Sequence, residues 1–308
     1  MKKVFIDGSQ GTTGLRIFDR LSARSDIELI TLPEELRKDP DARKKAINSS
    51  DITFLCLPDA ASIEAVAMAD TRVKILDTST AHRTNAQWIY GFPEVFEKGF
   101  EAVKNANRVA VPGCHASGFI ALVKPLVDAG ILGHDALLTC HSITGYSGGG
   151  KKMIAEYEGT DRDILLDAPR QYGLTQSHKH LPEMKMVTGI ENEPVFCPIV
   201  SDFYSGMCVT VPLFKSQLKR GNAEDIKNIY KEKYQGPVVS FTEDLGEGGF
   251  VSANGNLGKD SMQITVSGNE DRILLIARYD NLGKGASGAA LECMNIMLGC
   301  DPTLGLDL

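Results

Sequence analysis

The chain is poor in aromatic residues, has no long apolar run and lacks any recognisable leader. Phe, Trp and Tyr make up 7% of its 308 residues, and there is a single Trp. No stretch approaches the ~18 consecutive apolar residues that a membrane-spanning helix needs, so we expect no membrane span. The opening MKKVFIDGSQ reaches Asp7 and Gly8 before an apolar signal core can form. We therefore expect a cytoplasmic protein.

Cysteine is too scattered to build a structural framework. The seven cysteines are odd in number, spread from residue 56 to residue 300, and include no CxxC pair. This pattern disfavours both a disulfide scaffold and a zinc site. We expect no metal, and thiols that are mostly reduced and buried, with at most one that reacts.

Positive charge is also scarce. The chain has 33 Lys and Arg against 40 Asp and Glu, a net charge of -7. Nucleic acid is therefore disfavoured as the main partner, because binding it usually requires clustered basic side chains. The chain does have 43% hydrophobic residues and 30 glycines, a globular composition whose length predicts about two domains.

Strand and helix patterns alternate in the N-terminal part of the chain. The strand KVFID leads through GSQGTTG into a helix with Leu15, Phe18 and Leu21 on one side. Further strands follow at IELITL, DITFLCLP and RVKILDTST, separated by the polar segment PEELRKDPDARKKAINSS and by the helix AASIEAVAMA. Such alternation predicts an α/β fold of Rossmann type, a parallel sheet covered on both faces.

The pattern changes after residue 115. The segment ASGFIALVKPLVDAG predicts a helix ending at Gly130, and the strand ALLTCHSITG leads into the flexible loop YSGGGKK. Several strand-like runs then follow, among them VFCPIVS, GMCVTVPLF and RILLIARYD. These runs predict a second domain with a mixed or antiparallel sheet, followed by the small-residue helix GKGASGAALECMNIML.

The turn GSQGTTG is the first candidate site. Gly8, Gly11 and Gly14 let the backbone approach a pyrophosphate, which the following helix N-terminus would favour. Ser9 and Thr12 belong to the same turn. The spacing is GxxGxxG rather than GxGxxG, so an ordinary glycine turn is the alternative.

The end of the second strand bears on the choice of cofactor. NAD-binding proteins usually have an acidic residue there, whereas this chain has Leu32 and Pro33. The missing carboxylate favours NADP, whose 2′-phosphate a carboxylate would repel. Arg37 is a candidate partner for that phosphate, and a solvent-facing arginine is the alternative.

The stretch PGCHASG places Cys114 where a helix should begin. A thiolate there is stabilised by unpaired N–H groups and by the helix dipole, which is typical of a nucleophile. The alternative is a small thiol packed at a turn. The sequence alone does not decide between the two.

Two histidines in SHKHLPEM can serve such a thiol. A nucleophilic cysteine needs a base to ionise it and an acid for later steps. His178 and His180 are two residues apart and lie on the same side if the segment is extended. We favour His180, and the alternative is that either histidine is merely structural. The GYSGGGKK loop can hold an anion through its backbone N–H groups, or it is only a mobile loop.

Together these segments resemble a known family. The chain resembles N-acetyl-gamma-glutamyl-phosphate reductase in its shorter form, over essentially its whole length. The resemblance rests on seven motifs in order: GSQGTTG, DTSTAHR, YGFPE, VPGCHASG, GYSGGGKK, HKHLPE and DNLGKGASGAA with MNIMLG. Each motif is weak alone, and their order is specific.

The resemblance implies an activity and residue roles. The family reduces an acyl phosphate to an aldehyde with NADPH, through a thioester on the cysteine that matches Cys114. His180 matches the usual acid/base, and self-association into a homo-oligomer is expected. The expected cofactor-binding residues are Gly8, Ser9, Gly11, Thr12, Gly14, Ser147, Gly148 and Asn281. The candidates for substrate binding are Arg83, Lys151, Lys152 and His178. Where the longer form of the family has DFR this chain has AHR, and His82 has no assigned role.

The expected domain organisation follows from the strand and helix patterns together with the family resemblance. We expect an NADP-binding Rossmann domain over residues 1–115 and a mixed α/β catalytic domain over 116–282. The resemblance implies that the helix in 283–308 returns to the first domain. Two rival functions stay open: a related reductase of aspartyl or aminoadipyl phosphate, and a nucleotide-binding regulator without turnover.

Overall fold

The structure, a computed structural model, describes residues 1–308 and divides into two compact units. The first comprises Met1–Pro112 and Ala286–Leu306, and the second comprises Gly113–Gly285 with the last two residues. These boundaries lie within three residues of the expected ones at 115 and 282. None of the helices combines the length and apolar character needed to cross a membrane.

The first unit contains a fully parallel sheet of six strands. The strands are β1 Lys2–Asp7, β2 Ile27–Ile30, β3 Ile52–Leu55, β4 Lys74–Asp77, β5 Ile89–Tyr90 and β6 Arg108–Ala110. Their order in the sheet is β2-β1-β3-β4-β6-β5. The helices of this unit are α1 Thr12–Ser22, α2 Pro40–Ser49, α3 Asp59–Met68, α4 Gly99–Asn105 and α9 Gly288–Leu298.

Both faces of this sheet are buried, as the Rossmann pattern predicts. Val4 and Ile6 of β1 pack on one face with α1, α4 and α9, whereas Phe5 packs on the other face with α2 and α3. The alternation follows from the two-residue period of a strand. The α/β fold with a parallel Rossmann-type sheet is confirmed.

The buried side of α1 differs from the expected one. Gly14, Ile17 and Leu21 are buried, whereas Leu15 is 43% exposed. The helix begins at Thr12 and thus includes part of the glycine motif. Of the three residues expected on one side, Leu21 is buried and Phe18 is half-buried, whereas Leu15 is exposed, because Gly14 is the residue of that turn that faces the sheet.

The second unit contains a mixed sheet of seven strands. The strands are β7 Thr139–Gly145, β8 Arg170–Gln171, β9 Val195–Ser201, β10 Met207–Phe214, β11 Val239–Phe241, β12 Met262–Gly268 and β13 Arg272–Tyr279. Their order is β11-β12-β13-β10-β7-β9-β8, with parallel pairs at β7–β9 and β11–β12. The helices are α5 Cys114–Asp128, α6 Gly150–Glu158, α7 Leu181–Thr188 and α8 Ala223–Lys233. The mixed second sheet is confirmed.

Helix α5 is the central element of this unit. It packs against β10, β13, α7 and α8, and it is buried over most of its length. Gly130 follows it with φ +67°, the left-handed conformation that glycine adopts readily at a helix end. The predicted stop at Gly130 is confirmed.

The segment after β7 is helical rather than a flexible loop. Residues Tyr146–Gly149 form a 3₁₀ turn, and α6 starts at Gly150, so Lys151 and Lys152 are helical. Gly150 has φ +74°, which separates the two helical pieces. The expectation of a mobile loop is wrong because glycine here permits two tight helical turns in succession.

Candidate active site

The glycine turn after β1 is shaped by close backbone contacts. Gly8 has φ +91°, and a Cβ there would lie 2.3 Å from the Cys56 carbonyl oxygen. A Cβ at Gly14 would lie 2.4 Å from the Gly8 carbonyl oxygen, so Gly14 lets α1 pack onto the turn. Gly11 is different, since a Cβ there would meet nothing closer than 3.6 Å.

A cavity of about 830 Å³ opens at this turn, within the first unit. Gly8, Ser9 and Gly11 line it, together with Leu15 and Phe18 of α1. Gly11 is the N-cap of α1 and supplies no side chain to cap it, so the N-terminal N–H groups can receive a pyrophosphate. The residues present therefore fit a dinucleotide. Thr12 is the first residue of α1, next to this cavity-lining turn.

A buried ion pair closes the strand end beside the turn. Arg43 of α2 donates to the Asp7 carboxylate, with Nη2 2.9 Å from Oδ2, and both side chains are at most 10% exposed. Burial raises the pKa of Asp7, and Arg43 opposes that rise. Since Arg43 is held by Asp7, its charge is already neutralised at the cavity wall.

The end of β2 carries no acidic residue. The strand stops at Ile30, two residues earlier than expected, and Thr31 and Leu32 follow along the cavity wall. Glu34, Glu35, Arg37 and Lys38 line the cavity farther along. Arg37 thus lies at the cavity rather than only toward solvent.

In the second unit, Cys114 is the first residue of α5. Gly113 is the N-cap and has no side chain, and the first turn contains no acidic residue. The dipole of a 15-residue helix therefore acts on the thiol without an intervening cap. Cys114 is partly exposed, and a Cβ at Gly285 would lie 3.1 Å from the Cys114 Cβ, so small neighbours surround it. None of the seven cysteines forms a disulfide.

His115 joins Cys114 to a network of buried polar groups. Its Nδ1 lies 2.6 Å from Ser142 Oγ, and its Nε2 lies 2.7 Å from Tyr172 Oη. Burial, then the charges of His178 and Lys179, lowers the pKa of His115 to about 3. The imidazole is therefore neutral at ordinary pH, with one nitrogen donating and the other accepting.

The two predicted histidines pack around the same ring. The ring centroids of His178 and His180 lie 5.7 Å and 5.6 Å from that of His115. The structure thus brings the rings of His178 and His180 against that of His115, the residue directly after Cys114. The pKa of Tyr172 is raised by burial and then by the negative charge of Cys114.

His180 and His178 differ in their partners. His180 is 4% exposed, and its Nε2 lies 3.9 Å from Oε1 of Glu183. The other oxygen of Glu183 accepts the N–H of Gly113 at 3.1 Å, so Glu183 links His180 to the residue before Cys114. His178 Nδ1 instead accepts the His180 backbone N–H at 3.2 Å, and burial followed by the Lys179 charge lowers the pKa of His178 to about 4.

Ser147, Gly148 and Asn281 also come together. Asn281 Nδ2 donates to Ser147 Oγ at 3.1 Å, and a Cβ at Gly148 would lie 3.5 Å from the same nitrogen. Asn281 Oδ1 accepts the N–H of Gly206 at 2.8 Å. Asn281 therefore connects the 3₁₀ turn after β7 to Gly206, the residue directly before β10.

The cationic candidates lie in different surroundings. Lys151 and Lys152 are exposed at the start of α6, and Lys152 is 3.9 Å from Glu156. Arg83 is buried in the first unit, where it donates to the carbonyls of Val111 and Thr78 at 2.9 Å. His82 beside it bonds Asp77 at 2.6 Å and stacks on Trp88, a structural role that the sequence did not indicate.

Sequence reasoning missed four polar residues around Cys114. They are His115, Ser142, Tyr172 and Glu183. His115 and Glu183 had a signal, since they lie inside the PGCHASG and HKHLPE motifs. Ser142 and Tyr172 had none, because only the pairing of strands and the packing of α5 bring them near.

Protonation of His115 provides a test of this network. The pKa of His115 is about 3 in the folded protein and 6.5 in the unfolded chain. Between these pH values the unfolded chain binds more protons than the folded protein does. The free energy of unfolding therefore rises with pH in that window. On acidification from pH 6.5 to 5, His115 should lower the free energy of unfolding by about 2 kcal/mol.

Urea unfolding followed by circular dichroism measures this loss. His115→Gln should lose less stability over that interval than the wild type, because glutamine keeps hydrogen-bonding atoms and does not titrate. The matched control is His134→Gln, where the histidine is exposed and follows α5. Equal losses in wild type and His115→Gln would contradict the buried neutral imidazole.

Two family models match the chain. Residues 3–103 match the semialdehyde dehydrogenase NAD binding domain, and residues 114–281 match the semialdehyde dehydrogenase dimerisation domain. The first match covers the glycine turn and its cavity. The second begins at Cys114 itself and ends at Asn281.

Curated relatives are similar over the whole length. The chain is 44% identical to N-acetyl-gamma-glutamyl-phosphate reductase 2 of Nostoc sp., with 99% of each chain covered. It is also 44% identical to N-acetyl-gamma-glutamyl-phosphate reductase of Sinorhizobium medicae, covering 96% of this chain and 98% of that one.

Solved structures share the fold at low sequence identity. Aspartate semialdehyde dehydrogenase II of Vibrio cholerae matches with a TM-score of 0.70 and 14% identity, over 97% of this chain and 98% of that one. The Candida albicans aspartate semialdehyde dehydrogenase matches with a TM-score of 0.67 and 14% identity, over 97% of this chain and 98% of that one. At this identity the likeness establishes the architecture.

Proposed function

We propose a function from one premise: the chain belongs to the N-acetyl-gamma-glutamyl-phosphate reductase family of the semialdehyde dehydrogenases. The protein is an oxidoreductase that uses a nicotinamide cofactor. Its reaction is the reduction of N-acetyl-glutamyl 5-phosphate to N-acetyl-glutamate 5-semialdehyde and phosphate. The observation that carries the proposal is Cys114 at the uncapped start of α5, directly before His115, whose buried ring packs with those of His178 and His180.

The proposed chemistry begins at the Cys114 sulfur. Its thiolate attacks the acyl carbon of the substrate, the bond to the phosphate oxygen breaks, and phosphate leaves with the electron pair of that bond. The product is a thioester on Cys114. The first turn of α5 supports this step, since its N–H groups stabilise both the thiolate and the oxyanion that forms at the carbonyl.

The second half of the reaction reduces the thioester. When bound, the nicotinamide supplies a hydride to the thioester carbonyl. His180 donates a proton toward the developing oxygen or sulfur, and the thiohemiacetal collapses to the aldehyde with release of the Cys114 thiol. The Glu183 carboxylate, with Oε1 3.9 Å from His180 Nε2, orients the imidazole for this role.

We propose NADP as the form of the cofactor. The end of β2 offers Thr31 and Leu32 rather than a carboxylate to bind a free 2′-hydroxyl. Arg37 and Lys38 line the same cavity and can pair with a 2′-phosphate, whereas Arg43 is already paired with Asp7. Gly8, Ser9, Gly11, Thr12 and Gly14 hold the pyrophosphate, and Ser147, Gly148 and Asn281 assist the nicotinamide.

The substrate's phosphate and carboxylate require cationic partners. Lys151 and Lys152 are exposed and available at the start of α6, and His178 is adjacent to the His115 cluster. Arg83 stays a candidate through its family motif, although two of its nitrogens already donate to backbone carbonyls. We also propose that the reaction serves arginine biosynthesis in the cytoplasm.

A steady-state assay in the reverse direction tests this function. Purified chain is mixed with phosphate, NADP⁺ and N-acetyl-glutamate semialdehyde, and formation of NADPH is followed. Parallel arms replace the semialdehyde by its aspartate or aminoadipate analogue, and NADP⁺ by NAD⁺. Preference for another semialdehyde would overturn the substrate, and preference for NAD⁺ would overturn the cofactor. Nucleotide binding without turnover in every arm would favour the regulator.

We also propose that the chain forms a homodimer through the outer face of the second sheet. Ser142 and Thr144 of β7 point to the buried face, so His141 and Ile143 point outward. Val195 and Ile199 of β9 share this outward face, and Val195 is 56% exposed. The face lies within residues 114–281, which match the dimerisation domain. A second copy of the chain is the occupant that this match supports.

Ile143→Glu should dissociate the dimer, because a two-fold interface would contain the new charge twice. Sedimentation velocity is expected to give about twice the 33.4 kDa chain mass for the wild type and the chain mass for the variant. Leu165→Glu is the matched control, since Leu165 is 64% exposed outside this sheet. A monomeric wild type, or dissociation of the control, would refute the interface.

A further inference from the structure

The hydroxyl of Tyr279 lies in the first turn of α5. Tyr279 is the last residue of β13 and is fully buried. Its Oη accepts the N–H of Gly118 at 3.0 Å and donates to the carbonyl of Cys114 at 2.5 Å. In a regular α-helix these are the two groups that bond to each other. The hydroxyl therefore bridges both ends of the first helical hydrogen bond that Cys114 makes.

Gly118 permits this approach. A Cβ at residue 118 would lie 2.8 Å from Tyr279 Oη and 2.6 Å from a methyl carbon of Val209. Glycine is unfavourable in a helix interior relative to alanine. Its presence one turn after Cys114 is explained by the buried hydroxyl that it admits.

The bridge acts on the peptide that joins Cys114 to His115. The carbonyl of Cys114 and the N–H of His115 belong to one peptide unit, so a donor on the carbonyl polarises the N–H and makes it a stronger donor. That N–H lies in the first turn, where the N–H groups have no partner within the helix and face the positive end of the dipole.

We propose that Tyr279 is a positioning residue for Cys114: its hydroxyl fixes the first turn of α5 and polarises the Cys114–His115 peptide, whose N–H then stabilises negative charge at the sulfur. This inference deepens the proposed function and rests on it for the chemical role of Cys114. The pKa of Tyr279 is raised by burial and then by the charge of Cys114, consistent with this proximity. The other titratable and charged groups of this cluster are His115, Cys140, Tyr172, His178, Lys179, His180, Glu183 and Cys208.

Tyr279→Phe tests the proposal because it removes the hydroxyl and leaves those groups in place. Iodoacetamide alkylation of Cys114 is followed by mass spectrometry across pH, in the absence of substrate. We expect the alkylation rate near neutral pH to fall about tenfold, which corresponds to one pKa unit of the thiol. In the reductase assay kcat should fall with little change in KM.

The matched control lies on the same helix. Tyr234 is buried, and its hydroxyl donates to the Ala121 carbonyl of α5 at 2.6 Å, two turns beyond Cys114. Tyr234→Phe should therefore match wild type in alkylation. An unchanged profile in Tyr279→Phe, an equal shift in Tyr234→Phe, or uniform labelling of all seven cysteines in Tyr279→Phe would each overturn the positioning role. Alkylation requires no turnover. A wild type that reduces no acyl phosphate would therefore contradict the proposed function without deciding the positioning role of Tyr279.

Discussion

Replacing Cys114 by serine is expected to lower kcat by about 10⁴-fold or more, because removal of a covalent nucleophile eliminates the thioester route. A serine hydroxyl has nearly the same shape, but the helix dipole contributes too little to ionise it at neutral pH. Cofactor affinity should be unchanged, since the residues that line the dinucleotide cavity lie between Phe5 and Ala61.

The measurement pairs the reductase assay with a fluorescence titration of NADPH binding. Cys300→Ser is the matched control, because Cys300 is partly exposed and follows the end of α9 in the first unit. The control should retain wild-type kcat. Turnover by Cys114→Ser within tenfold of the wild type would contradict the requirement for the Cys114 thiol.

The order of strands and helices could be predicted because local patterns determine it. Short apolar runs bounded by polar segments identify β1, β3 and β4, and the helix between residue 114 and Gly130 follows from its apolar length and its stop. What these patterns do not specify is which side of an element meets which neighbour. The spacing places Leu15 and Phe18 on one side of α1, and only the structure shows that this side lines the dinucleotide cavity.

The site could be predicted only where its residues are close in sequence. Cys114 was identified by the glycine before it and the helix after it, and His180 by its motif. Tyr279 bonds the Cys114 carbonyl across 165 residues, and Tyr172 bonds His115 across 57. The first contact depends on the pairing of β13 with β10 and on the docking of α5 against both strands, and the second on the pairing of β8 with β9. No local pattern in one sequence encodes them.

Replacing His180 by asparagine is expected to lower kcat by about 10²- to 10³-fold, the range for loss of a general acid or base. Asparagine keeps a hydrogen-bonding side chain of similar size but cannot transfer a proton. The buried Glu183 carboxylate, left without its imidazole partner, should continue to accept the Gly113 N–H, so the start of α5 stays in place. Thermal unfolding by circular dichroism checks that the fold is retained.

His178→Asn is the matched comparison, because both imidazoles lie at nearly the same distance from His115. The pKa of His178 is lowered to about 4, so His178 is neutral at working pH and is a poor proton donor, and its Nδ1 is already used as an acceptor. Its loss should affect KM more than kcat. The pH profile separates the roles: His180→Asn should lose one limb of the kcat profile, whereas His178→Asn should keep both. A profile that loses its limb in His178→Asn alone would assign proton transfer to His178, and the Glu183 contact would then serve only to hold the helix start.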